Sequence, residues 1–136
     1  MSIDCLTEPR GRLRHVLTID AHTLVADMPL ASGGDASGPS PHDYFDASLA
    51  TCKALTAMIY ARSHGIPLER VHLRVERDDT REREGTYVLN VTVGFEGGLS
   101  VEQRARLLQI VDHCPVHKLM TATTIEIRTV AARAGA

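Results

Sequence analysis

From His42 to His64 the chain runs without a glycine or a proline, and its apolar residues recur at helical spacing. At about 100° per residue, Phe45, Leu49, Cys52, Leu55, Thr56 and Ile59 fall on one side. Asp43, Asp46, Lys53, Tyr60 and His64 form a narrow stripe opposite. Ala47, Ala50, Ala54, Ala57 and Ala61 keep the girth small. A surface helix carries a wider polar face. This one calls for cover on several sides, more than one small sheet gives, so a second subunit is expected. Gly65 suits the left-handed position after a helix and Pro67 follows, so the helix stops there.

The segments around it alternate with the period of strands. Leu13, His15, Leu17 and Ile19 oppose Arg12, Arg14, Thr18 and Asp20. Leu24, Ala26 and Met28 predict a second strand, joined through Ala21-His22. Ala31 to Pro41, rich in Gly, Ser and Pro, reads as a loop leading into the long helix. Val71, Leu73 and Val75 predict a third strand, Asp78 to Gly85 a charged turn, and Tyr87 to Phe95 a fourth strand. Ser100-Val-Glu-Gln103 is a capping box that opens a second helix, with Leu107, Leu108, Val111 and Cys114 on its buried side. Pro115 disfavours helical geometry at Cys114 and suits the first position of a new helix, so Cys114 is expected near an N-cap. Ile125 and Ile127 alternate with Glu126 and Arg128 in a last strand, and Ala131 to Ala136 reads as a loose tail. The order β-β-α-β-β-α-α-β predicts an α+β fold with an antiparallel-rich sheet around a long central helix. The whole chain, 1–136, is expected to form a single domain with its ordered core at about 10–130.

At 136 residues with 43% hydrophobic content, the chain can bury a core without staples. A formal charge of −2 and 4% aromatics argue against a nucleic-acid partner. No apolar run approaches the roughly 18 residues of a membrane span. The N-terminus has no secretory pattern, and three cysteines, an odd number, fit a reducing cytoplasm.

The residues that point to chemistry are Cys52, within the long helix, and Cys114, before Pro115. Together they make a plausible redox pair. A thiolate attacks electrophiles and a thiol scarcely does, so reactivity depends on a lowered pKa. A helix N-terminus, with His113, His117 and Lys118 near, gives Cys114 a local route to that state. Cys52 lies in the apolar sector, and a charge from elsewhere would have to reach it, from Arg12, Arg14 or a partner subunit. Each thiol alone also fits plain packing. Cys5 belongs to a polar tail. His113, Cys114 and His117, with Cys52 folded in, are zinc-type ligands, but no C-x-x-C pair accompanies them, and no metal site is expected. His15, His22, His64 and His72 read as strand, turn or surface residues, and no GK[ST] follows the glycine-rich loop.

Two segments resemble the OsmC/Ohr family, whose characterised members are organic hydroperoxide reductases: Gly38 to Cys52 (GPSPHDYFDASLATC) and Leu107 to Lys118 (LLQIVDHCPVHK). The resemblance covers about residues 10 to 130 and implies an intertwined homodimer with active sites at the subunit interface. It also implies roles. Cys52 matches the peroxidatic cysteine, which becomes a sulfenic acid. Cys114 matches the resolving cysteine, which closes a disulfide, and an external thiol or dithiol then restores both. The expected function is thus a thiol-dependent peroxidase of organic hydroperoxides, antioxidant and stress-related, with no bound cofactor. An apolar pocket around Phe45, Leu49 and Leu55 would favour organic peroxides. Two other readings stay open: a non-catalytic small-ligand binder, or a zinc-binding protein. The chain departs from the hydroperoxide reductases where His42 replaces their Glu and where their Gly-Gly-Arg triplet is missing. It is closer to the OsmC-like branch with Cys-Pro-Val-His.

Overall fold

A computed structural model describes residues 1–133. The order is β1 (Ile3–Thr7), β2 (His15–Ile19), β3 (His22–Ala26), α1 (Pro41–Ser63), β4 (Leu68–Asp78), β5 (Val88–Gly97), α2 (Val101–Ile110) and α3 (Pro115–Ala122). The class is α+β, with antiparallel pairing. One sheet has the order β1-β2-β3 and a second pairs β4 with β5. By compactness the chain divides into two units, 1–50 with 74–92, and 51–73 with 93 onward.

In the first unit β2 sits between two antiparallel neighbours, with Cys5 opposite Leu17 and Leu17 opposite Leu24. The connection from β2 to β3 is the pair Asp20-Ala21, one residue earlier than the pattern suggests. Asp20 takes the left-handed conformation there (φ 51°), which a short acidic side chain tolerates. The glycine-rich loop is organised by one carboxylate. Buried Asp27 accepts from the backbone N–H of Met28 (2.7 Å), Ser37 (3.1 Å) and Asp35 (3.3 Å), and from the Ser37 hydroxyl (2.5 Å). The Ser37 hydroxyl and the Met28 N–H hold its pKa at about 2. Gly34 is required by this wrapping, since a Cβ there would lie 2.1 Å from the Met28 carbonyl oxygen.

In the second unit Ala57, Ala61, Leu68, Leu107 and Val111 form the core. Gly97, at φ 144°, closes the end of β5; a Cβ there would lie 2.2 Å from the Pro67 carbonyl oxygen. Ser100 caps α2 in both directions: its hydroxyl accepts from Gln103 N–H (3.0 Å) and its own N–H donates to the Gln103 side chain (2.9 Å). Helix α2 tightens into a 3₁₀ turn over Val111–His113, and Cys114 is extended (φ −70°, ψ 140°), the geometry a following proline imposes.

Two expectations are corrected. Residues 3–7, placed outside the ordered core, pair with β2 as an edge strand. The last strand at Ile125–Arg128 does not form: residues 123–133 carry neither helix nor strand, and Ile127 is 84% exposed. Alternation makes a segment fit to pair, but a strand forms only where its backbone meets a partner, and among the described residues none pairs with this one. Within this chain the buried residues of α1 include Leu49, Lys53, Ala57 and Ala61, while Phe45, Leu55 and Ile59 of the apolar side are exposed. Small side chains allow the closest approach, so alanines take the packed side. The expected loose tail, 131–136, lies beyond the described residues from position 134.

Candidate functional site

The second unit brings the two cysteines together. Cys52 is half-buried in α1; Cys114 is 1% exposed at the N-cap of α3. The Cys52 thiol lies near enough to the Cys114 thiol to act on its ionisation. The Cys114 sulfur also accepts from the His117 N–H at 3.3 Å, so Cys114 itself caps the helix that Pro115 begins.

This placement reverses the electrostatics read from the sequence. Burial pushes the Cys114 thiol up, and the Cys52 thiol adds to the rise. The His117 N–H and the charge of Lys53 act in the opposite direction and do not prevail. The helix N-terminus is real, but a nearly dry sulfur loses more by desolvation than one N–H returns. Cys114 is therefore held as a thiol, and Cys52 is the less buried residue of the two.

The cation at this site is a residue that helical periodicity assigned to the polar stripe. Lys53 is 2% exposed. Its Nζ lies 3.1 Å from the Val111 carbonyl oxygen, 3.0 Å from Asp112 Oδ1 and 3.0 Å from His117 Nδ1. An ammonium has three protons to donate, and three acceptors surround it. A buried charge is tolerated only when paired and hydrogen-bonded in this way. The available signal was its position next to Cys52, together with Asp112 and His117 flanking Cys114; a single helix wheel does not show that pairing.

Arg12 and Arg14, the candidate activating cations within the chain, are engaged in the first unit. Arg12 donates to Asp35 (3.1 Å) and to the Gly34 carbonyl (2.5 Å), and Arg14 to Glu8 (2.6 Å). His42, where the hydroperoxide reductases carry Glu, hydrogen-bonds Glu82 at 2.5 Å through Nε2. Beside it Arg77 clamps Asp46 (2.6 Å) and Asp43 (2.7 Å), and the Tyr87 hydroxyl donates to Asp46 (2.7 Å). The Ser40 N–H, then Arg77, lowers the Asp43 pKa, while burial, then Asp46, lifts Tyr87 to about 12. Cys5 is exposed on β1. Among the described residues no three His, Cys, Asp or Glu side chains gather as a metal site, and His117 Nδ1 is already engaged by Lys53.

The model of the family described as OsmC-like protein matches residues 33–130, which include both cysteines. The chain belongs to the OsmC-like protein family. Solved structures carry the same fold at low identity. An OsmC-like protein from Mycoplasma pneumoniae is 19% identical over 89% of this chain and 86% of its own, with a TM-score of 0.71. The organic hydroperoxide resistance protein OsmC from Legionella pneumophila is 21% identical over 90% of each chain, with a TM-score of 0.61. The organic hydroperoxide resistance protein OhrB of Bacillus subtilis is 21% identical, covering 89% of this chain and 90% of that one, with a TM-score of 0.59. No curated protein sequence matches the chain. Within this OsmC-like chain, no described helix is long and apolar enough to cross a membrane.

Proposed function

We propose that this OsmC-like protein is a thiol-dependent peroxidase that reduces organic hydroperoxides through Cys52 and Cys114. The observation that carries the reading is the half-buried thiol of Cys52 beside the buried thiol of Cys114. The Cys52 thiolate attacks the outer oxygen of the hydroperoxide, the O–O bond breaks, and the alkoxide leaves as an alcohol after taking a proton. Cys52 is then a sulfenic acid. The Cys114 sulfur attacks it, the S–O bond breaks, and water leaves as the disulfide forms. An external thiol or dithiol returns both cysteines to the reduced state and is itself oxidised. Three free cysteines fit a reducing cytoplasm.

Leu55 and Ile59 stand on the Cys52 side of α1 and are exposed, which favours an apolar substituent on the peroxide. The same side chains argue for a homodimer. Leu55 is 54% and Ile59 63% exposed, and on the β1–β3 sheet an open, mainly apolar hollow of about 620 Å³ is lined by Leu13, Leu17, Ile19 and Met28. The named relatives from Legionella pneumophila and Bacillus subtilis lend support to the hydroperoxide reading, as members of one fold.

Intact-mass spectrometry after one equivalent of cumene hydroperoxide tests the cycle. The wild-type chain is expected to lose two hydrogens, Cys114→Ser to stop at the added oxygen of a sulfenic acid, and Cys52→Ser to show neither change. An unchanged wild-type mass sinks the peroxidase and leaves a ligand-binding module on the same fold. Turnover of hydrogen peroxide as fast as of cumene hydroperoxide would contradict the organic preference.

A further inference from the structure

Lys53 has more acceptors around it than a simple counter-ion needs. A carboxylate alone would neutralise it, and Asp112 does so at 3.0 Å from a side chain that is itself mostly exposed. The other two contacts go to neutral acceptors on the segment that carries Cys114: the Val111 carbonyl on one side and the His117 ring on the other. An ammonium has no lone pair to offer. His117 Nδ1, 3.0 Å from Nζ, must therefore present its own lone pair, and the ring proton resides on Nε2. Among the described residues no buried side-chain nitrogen or oxygen is left without a partner.

We propose that Lys53 is the positioning residue of the thiol pair: it fixes His117 as the neutral Nε2–H tautomer and pins the Val111–His117 segment to α1, so that Cys114 is presented to Cys52. Two consequences follow from the bonding. His117 offers the site a donor and no base, because its only lone pair is engaged, so it does not deprotonate either cysteine. The backbone N–H of the same residue caps the Cys114 sulfur, so the ring and the thiol are set by one anchor. The cation comes from the residue next to Cys52 and needs no arginine from a distant loop.

The catalytic part of this inference rests on the thiol-cycle reading; the tautomer does not. Long-range proton–nitrogen correlation spectra of the reduced, full-length, ¹⁵N-labelled protein read it directly, with His117→Gln assigning the signal. The expected result is an unprotonated Nδ1 and a protonated Nε2, and loss of this single tautomer in Lys53→Met. Disulfide closure driven by diamide, which needs no peroxide, is expected to slow on the order of a hundredfold in Lys53→Met, the usual cost of a misplaced reacting group. Partial recovery in Lys53→Arg would mark the role as one of charge and donor, beyond packing. A proton on Nδ1 in the wild type overturns the proposal without any variant having to fold. An unchanged tautomer and closure rate in Lys53→Met overturn it equally. Failure of peroxide to oxidise a wild type that diamide does oxidise removes the peroxidase reading and leaves Lys53 judged on its own.

Discussion

At the scale of single residues, opposing effects meet at Cys114, and burial decides between them. Its pKa is raised, mainly because a thiolate in a nearly dry position loses its hydration. Folding favours the protonated thiol, so the contribution is complete below the unfolded-state thiol pKa. It is lost as pH rises through the folded-state value. Urea unfolding under reducing conditions, compared with Cys114→Ala at several alkaline pH values, is expected to show the wild-type advantage shrinking as pH rises. An advantage that grew with pH would mean that the His117 N–H and Lys53 outweigh burial. Lys53 is buried as well, and three acceptors take the place of the water it loses.

At the scale of elements, the ends of helices are the best-determined features. Ser100 and Gln103 close α2 reciprocally. Ser100→Ala is expected to remove about 1 kcal/mol of stability, measured as a lower urea midpoint with an unchanged slope. An unaltered midpoint would show that the helix is held by its Leu107 contact alone. The end of α2 and the start of α3 are fixed by Pro115, and Cys114 lies at their junction. These boundaries were legible because caps and prolines act within a few residues of themselves. Which residues of α1 pack within the chain was not. Periodicity set out an apolar side and a narrow polar stripe, and Lys53 of that stripe is buried along with Leu49, Ala57 and Ala61. The strand at Ile3–Thr7 was hidden by its polar surroundings, and the segment at Ile125–Arg128 carries a strand-like pattern that no described strand pairs with.

At the scale of the whole molecule, the chain leaves large apolar side chains exposed, with Leu55 and Ile59 on α1 and Ile125 and Ile127 near the C-terminal end. The proposed homodimer would cover Leu55 and Ile59. Sedimentation is expected to give twice the 14.8 kDa chain mass, and Leu55→Asp with Ile59→Asp to give the single mass with the far-ultraviolet circular dichroism retained. A wild-type protein that sediments as a monomer down to the lowest and up to the highest concentrations tested would remove the second subunit from the account.

The amino-acid sequence by itself determined the class of fold, the bounds of α1, α2 and α3, and the two cysteine segments, because these depend on periodicity, capping and proline geometry within a few residues. The tertiary structure alone decided which thiol is buried, which cation serves the site and which side of α1 is packed. Those depend on partners far apart along the chain: Lys53 and His117, 64 positions apart, meet at 3.0 Å. Desolvation is a property of the assembled surroundings, and no local pattern encodes it.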